Sequence, residues 1–440
     1  MVKQINWNLK LTSGRSCRKI SILRIDSTQD LPENEGSIDN MRNWFVGLLI
    51  VGFVSVLGCQ PQDKKNTSTT QTTQKELKVA VAAPYTGSAA AFGEMIRRGA
   101  ELRQKEINEA GGINGMKLTL LFEDDAGKGS EASLVAERIV NSPQKIVAVV
   151  GHFNSTCSLA GQEIYDRVGI VELSPGSTAV EVCERSPWTF RNLYHDGFQG
   201  KFIAQYIDNV LTDIESVAVF FDNDDYGRGL RNAFVAEAER IGLNLVASEA
   251  YERDSTNFKA QLTSIKAKNP DAIFISGLFT EAGLIVKQGR EAGITAQFFG
   301  ADGVDSPDFL TVAGSAAEGT YLTTPFTFGA GGTEAKQMEA NFKALHGVTP
   351  DTWAALTYDA VGMIKEALEK TYNAEASIED NRKAIREHLA SLDTPEEGYE
   401  GVTGLTYFDI NGDTVNKPAY VKIVKDGQFV AAEKQLRELK

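Results

Sequence analysis

A basic surplus, paired cysteines and a long apolar run are all missing from this sequence, and each absence removes a class of protein. Lys and Arg number 45 against 59 Asp and Glu, a formal charge of −14 over 440 residues. Proteins that hold nucleic acid carry positive charge to match the phosphates, so no nucleic-acid partner is expected. Four cysteines in such a length cannot build a disulfide scaffold, and their scattered positions lack the C-x2-C pairs of a structural zinc site. No apolar run reaches the roughly 18–20 residues that span a bilayer. What remains is an ordinary globular composition, 42% hydrophobic and 24% charged, with length for two or three domains.

The usual marks of an enzyme are missing as well. Residues 157–161 (CSLAG) lack the first Gly of a G-x-S-x-G turn, and residues 127–130 (GKGS) do not complete a phosphate loop. No G-x-G-x-x-G follows a strand. Asp222, Asp224 and Gly227 copy part of a calcium loop, but Ala233 stands where the bidentate Glu is needed. The four histidines, His152, His195, His346 and His388, are dispersed. His152 reads as a hydrogen-bonded loop residue, and Asp124-Asp125 as a solvated turn. No catalytic residue, metal or cofactor is expected.

The longest apolar stretch is residues 44–58, WFVGLLIVGFVSVLG, preceded by Met41-Arg42 and followed by Cys59. A charged start, a short apolar run and a small residue at the cut describe a secretory signal. Val56-Leu57-Gly58-Cys59 also resembles a bacterial lipobox, which implies lipidation of Cys59. Residues 1–40 fit no targeting class, so Met41 is a candidate initiator; a native peptide from 1–40 would refute that. Residues 59–76 are mostly Gln, Thr, Ser and Asn, too polar to offset their ordering entropy, and read as a flexible tether. The signal region is then 1–58, and the body is held outside a membrane by a lipid anchor.

The body alternates strand and helix. Strands are expected at 77–82, 117–123, 146–150, 217–221, 271–276 and 297–299, with helices at 92–110, 130–141, 226–241 and 281–292 between them. The unbroken apolar run of residues 146–150 means burial on both faces, as in a parallel sheet covered by helices. The fold class is α/β, doubly wound. About five strands before 196 and four over 217–325 are too many for one sheet of ordinary size, so two lobes are expected. A helical block covers 333–391, and two strands, 404–408 and 419–424, close the chain. The expected division is 77–196 plus 326–403 for the first lobe and 197–325 plus 404–440 for the second.

In open α/β sheets ligands bind beyond the carboxyl ends of strands. Two such loops in the first lobe, residues 151–158 and 174–178, supply hydroxyls and lead into helix starts, which attract an anion without Arg or Lys; plain N-capping is the alternative. In the second lobe Tyr226 offers a hydroxyl and an aromatic wall. Asp302 offers a negative charge, or simply a turn residue before Gly303. An anion site facing a carboxylate describes a clamp for a zwitterion, of which a free amino acid is the simplest.

The order APYTGSAAAFGEMIRRGAEL, GGINGMKLTLLFEDD, VVGHFNSTCS, LSPGSTA, FDNDDYGRGL and FFGADGV resembles the periplasmic leucine/isoleucine/valine-binding proteins over residues 77–429. The resemblance implies two α/β lobes joined by three crossovers, closing on a solute and delivering it to the permease of an ABC importer. It implies that Ser155 and Thr178, with backbone of Gly176 and Ser177, bind the ligand carboxylate. Asp302 would hold the ammonium, with Tyr226 beside it and Phe92 near the side-chain pocket. Two departures stand out: Leu278 replaces a Tyr of the leucine receptors, and Asp302 replaces a Glu. A branched-chain or other small or apolar amino acid is expected; an amide, urea or aromatic acid, or a sensory role, are the rivals. A monomer suits a closing trap. Cys157 and Cys183 lie past adjacent strand ends, where an oxidising compartment permits a bridge; two separate thiols are the alternative.

Overall fold

The computed structural model describes residues 75–436 and Leu439. The signal region, the apolar run 44–58, Cys59 and nearly all of the tether lie outside the described residues.

The chain begins with β1 (Glu76–Ala83), α1 (Ala90–Glu109), β2 (Lys117–Asp124), α2 (Gly129–Val140), β3 (Ala148–Val150), α3 (Ser155–Val168), β4 (Val171–Ser174), the single turn α4 (Glu181–Glu184) and β5 (Thr189–Arg191). These five strands form one parallel sheet in the order β2-β1-β3-β4-β5. Val79 and Val81 of β1 face one layer of helices with Phe92 and Ile96, while Ala80 and Ala82 face Val135, Ile139 and Ile164 on the other. Burial on both faces is why β3 carries no alternation.

The second lobe holds α5 (Asp196–Val210), β6 (Ser216–Asp222), α6 (Asp225–Ile241), β7 (Asn244–Tyr251), α7 (Lys259–Lys268), β8 (Ala272–Ser276), α8 (Phe279–Glu291), β9 (Gln297–Gly300), α9 (Pro307–Ala313) and β10 (Tyr321–Thr324). The chain returns to the first lobe through α10 (Thr333–His346), α11 (Thr352–Thr371) and α12 (Ile378–Ala390), makes the hairpin β11 (Tyr399–Gly401) and β12 (Gly404–Thr406), and ends in β13 (Tyr420–Lys425) and β14 (Gln428–Ala431). The second sheet runs β14-β13-β10-β9-β8-β6-β7, with β13 alone running against the other strands. The strand order reverses at β1/β3 in one sheet and at β6/β8 in the other. Both reversals open crevices at the carboxyl ends, where doubly wound sheets bind ligands.

The expected strand 404–408 is corrected. Residues 404–406 pair with 399–401, and Asp359 of α11 accepts the N–H groups of Val402 and Thr403 at 2.9 and 2.8 Å. The hairpin therefore belongs beside the first sheet. The following loop also stays there: Phe408 packs edge-on against Phe190 with ring centroids 5.1 Å apart, and the Thr414 hydroxyl donates to the carbonyl of Arg191. Gly412 has φ +89 and passes so close that an added Cβ would stand 2.5 Å from the Thr189 carbonyl. The last passage between lobes thus lies after Thr414, later than the expected cut after residue 403.

Candidate functional site

The carboxyl ends of β3, β4, β6, β8 and β9 converge on one narrow cavity. Its wall is Phe153, Asn154, Ser155, Gly176, Tyr226, Leu278, Asp302, Gly303 and Trp353. A water-sized sphere can place its centre within only about 20 Å³ of it, so a larger ligand enters when the lobes part.

On the first lobe Ser155 opens α3, and its Oγ accepts the N–H groups of Thr178 at 3.2 Å and Ala179 at 3.1 Å. The loop is built from below: Ser174 Oγ donates to the His152 carbonyl at 2.6 Å and accepts the Ser177 N–H at 2.8 Å. Gly176 is required by contact, since a Cβ there would stand 2.3 Å from the Phe153 ring. With Oγ accepting these two N–H groups, the Ser155 hydroxyl proton is left to donate into the cavity, and together with the first turn of α3 it forms a neutral anion cradle.

On the second lobe the Tyr226 hydroxyl donates to Asp302 Oδ1 at 2.7 Å and accepts the Gly303 N–H at 3.2 Å. Asp302 is 2% exposed and its Oδ2 has no partner among the described residues. Burial pushes its carboxyl up to about 6, against the pull of the Tyr226 hydroxyl. Asp196, at the start of α5, is fully buried beside Thr178, and neither of its carboxylate oxygens meets hydrogen-bond geometry with a partner among the described residues. Burial raises its pKa, and the charge of Asp302 raises it further. Two buried carboxylates that repel each other are relieved together by one cation.

Five of the expected residues meet at the cavity: Ser155, Gly176, Tyr226, Leu278 and Asp302. Three stand behind it. Ser177 Oγ lies 2.8 Å from Ser158 Oγ and 3.0 Å from the Phe153 carbonyl, so its hydroxyl serves the loop. Thr178 is buried, with its N–H on Ser155 and its carbonyl accepting the Asp196 N–H at 2.7 Å. Phe92 packs behind Phe153 and Trp353, at 4.7 and 5.5 Å between ring centroids. Four lining residues fell outside the expected set: Phe153, Asn154, Gly303 and Trp353. The first three sit inside loops already singled out, whereas Trp353 comes from the start of α11. Asp196, at the start of α5 just after a crossover, is not on the wall, but it lies close enough for the charge of Asp302 to raise its pKa.

Other expectations are corrected. Cys157 and Cys183 are two free, buried thiols rather than a bridge. Cys157 lies in the first turn of α3, whereas Cys183 packs with Ala179 and Val182 and sits 3.6 Å from the Gly412 carbonyl. Asp125 is not a solvated turn. It is fully buried, with Oδ2 2.7 Å from His152 Nδ1, while His152 Nε2 lies 3.0 Å from the Tyr165 hydroxyl. Asp222 and Asp224 both pair with Arg253, and Asp224 also caps α6 by accepting the Gly227 N–H at 2.7 Å.

Among the described residues, bonds join the lobes across the cleft at three places. Thr156 Oγ1 donates to Asp225 Oδ2 at 2.7 Å and accepts the Asp225 N–H at 3.4 Å, Thr280 Oγ1 donates to the Ser88 carbonyl at 3.2 Å, and Trp353 Nε1 to the Asp305 carbonyl at 3.2 Å. Replacing Thr156 with Val keeps the shape and removes the link to Asp225. The closed form then loses about 1 kcal/mol and ligand affinity falls roughly fivefold. An unchanged affinity in a calorimetric titration would show that this bond does not hold the lobes together.

A family profile described as periplasmic binding protein matches residues 76–428. An amino acid binding protein of Pseudomonas aeruginosa is 37% identical over 315 residues, covering 70% of this chain and 81% of its own. A leucine-, isoleucine-, valine-, threonine- and alanine-binding protein of the same organism is 31% identical, covering 76% and 88%. The solved structure of the branched-chain amino acid transporter substrate-binding protein LivJ from Streptococcus pneumoniae, in complex with isoleucine, superposes with a TM-score of 0.74. It is 31% identical and covers 82% of this chain and 99% of its own.

Proposed function

Because the chain belongs to the periplasmic binding protein family, we infer that it captures a free amino acid outside the cytoplasmic membrane and delivers it to the permease of an ABC importer. One observation carries the reading. A buried carboxylate with an unpartnered oxygen, Asp302, shares a cavity wall with the neutral anion cradle at Ser155. That pair of sites complements an α-ammonium and an α-carboxylate. The relatives' names support the same class, since they bind amino acids.

Capture proceeds by closure. The open form exposes the cleft, and the ligand carboxylate meets the Ser155 hydroxyl and the N-terminal turn of α3, with the Thr178 and Ala179 N–H groups holding Ser155 Oγ in place from behind. The second lobe then brings Asp302 and Tyr226 onto the ammonium, and Phe153, Leu278 and Trp353 close around the side chain. The ligand shifts the population because it binds the closed form more tightly. No bond is made or broken, and no cofactor takes part. Once the signal region of residues 1–58 is cleaved, lipidation of Cys59 anchors the monomer to a membrane by the tether.

A second reading keeps the fold and changes the solute to an amide, urea or an aromatic acid; Leu278, in place of a Tyr, motivates it. A thermal-shift panel with the twenty amino acids, urea, short amides and benzoate separates the two. A ligand present at 100 times its Kd adds about 2.7 kcal/mol of stability. A rise with a few related amino acids is expected. A rise only with solutes that lack an ammonium would overturn the first reading.

A further inference from the structure

Asn154 is the residue between Phe153 and Ser155, and it occupies the N-cap of α3 with extended backbone, φ −78 and ψ 134. Asn ranks among the best N-cap residues because its side-chain oxygen takes an N–H of the first turn. Here no such bond forms. The Cys157 and Ser158 N–H groups go instead to the Asn154 backbone carbonyl, at 2.8 and 3.0 Å. The side chain is 6% exposed, its Oδ1 is buried without a partner among the described residues, and the residue lines the cavity. Space for the amide is left by Gly127, where an added Cβ would stand 3.2 Å from Asn154 Oδ1.

An unpartnered buried amide is costly. Departures from local rules of this kind gather where function uses them. The rest of the wall is already accounted for in the amino-acid reading. Asp302 and Tyr226 face the ammonium, Ser155 faces the carboxylate, and Phe153, Leu278 and Trp353 are apolar side chains. Asn154 is the polar residue left over on the wall, and its amide, seated beside Gly127 with Oδ1 unpartnered among the described residues, is the group available for the remaining part of the ligand.

We propose that Asn154 is a specificity-determining residue that hydrogen-bonds a polar group on the side chain of the bound amino acid. The proposal rests on the amino-acid reading and narrows it to side chains bearing a hydroxyl or an amide. A site built to bond a substrate polar group rejects the analogue of equal shape that lacks it, because its own buried polar group is then left unpaired.

The test uses two pairs of nearly equal shape, L-threonine with L-valine and L-asparagine with L-leucine, titrated calorimetrically into the full chain. The polar member of at least one pair binds more tightly by about tenfold or more. Asn154→Leu reverses that order, while Asn154→Asp, which keeps an acceptor and the capping chemistry, retains threonine over valine. A merely structural role for Asn154 would shift both members of a pair equally and leave their ratio unchanged, which would overturn the proposal. Equal or tighter binding of the aliphatic member in both pairs would also overturn it, with the amino-acid reading intact. No binding of any of the four overturns the proposal too. The thermal-shift panel then decides whether the amino-acid reading falls with it, since a response to any other amino acid preserves that reading.

Discussion

Replacing Asp302 with Asn weakens amino-acid binding by two to three orders of magnitude while making the unliganded protein more stable. The two effects have opposite signs for one reason. In the complex Asp302 faces an ammonium in a buried cavity, and removing one partner of such a pair costs about 3–5 kcal/mol, with each 1.4 kcal/mol a factor of ten. Without ligand the same carboxylate is buried with one oxygen unpartnered among the described residues. Its pKa is raised to about 6 in the folded protein. A group that holds its proton more tightly when folded stabilises the protein below the ordinary carboxylate range, and that contribution is lost as pH rises through about 6. At pH 7 the ionised group therefore weighs against the unliganded fold by roughly 2–3 kcal/mol. Asn keeps an acceptor for the Tyr226 hydroxyl and carries no charge. The same linkage makes affinity for an amino acid fall as pH drops below about 6, because the ammonium needs the ionised form. Calorimetry and thermal unfolding on one preparation check both signs. An affinity retained within about threefold would remove Asp302 from the site.

Arg191→Met unfolds the protein at a temperature lower by roughly 10 °C, although Arg191 never touches the cavity. The side chain is fully buried at the end of β5. Its Nε pairs with Asp413, in the first-lobe loop just before the last crossover. Its Nη1 donates to the carbonyls of Ser177 and Ala179 at 3.1 and 2.8 Å, and Nη2 to that of Val180 at 3.3 Å. One guanidinium thus ties the loop under the anion cradle to the chain about to leave the first lobe. Losing it strands a carboxylate and three carbonyls, a loss of about 3–5 kcal/mol, and each kcal/mol moves the midpoint of a chain this large by about 2–4 °C. Arg191→Lys keeps the charge without the fork and recovers only part of the loss. Adding Asp413→Leu to Arg191→Met also recovers part, because no charge is then stranded. A shift of less than about 2 °C for Arg191→Met would mean that water replaces the guanidinium without cost.

The parts legible in the sequence were those with one dominant physical signal. Residues 146–150 are apolar without alternation because β3 lies at the centre of its sheet. The loops after β3 and β4 showed their hydroxyls, and those after β6 and β9 showed Tyr226 and Asp302, because carboxyl ends of parallel strands face the crevice. Other features carry no such signal. β7 is an edge strand, half exposed along most of its length, so NLVASEAY lacks a clean period of two. The hairpin at 399–406 is held by Asp359, more than forty residues away. Ser177 and Thr178 look alike with Ser155 in sequence, yet only Ser155 reaches the cavity, because α3 starts there while the other two turn toward Ser158 and Asp196. Cys157 and Cys183 lie past neighbouring strand ends, but α3 and α4 carry them into different packing, and no bridge forms. The asymmetry between a capping and a non-capping Asn154 is invisible until the first turn of α3 is seen.

The most direct measurement compares the amino acid that most raises the unfolding temperature with the carboxylic acid that lacks only its amino group, both titrated into the full chain at pH 7. If Asp302 and its neighbours hold an ammonium opposite the Ser155 cradle, the amino acid binds at least about a hundredfold more tightly. Equal or tighter binding of the acid without its amino group would contradict the account.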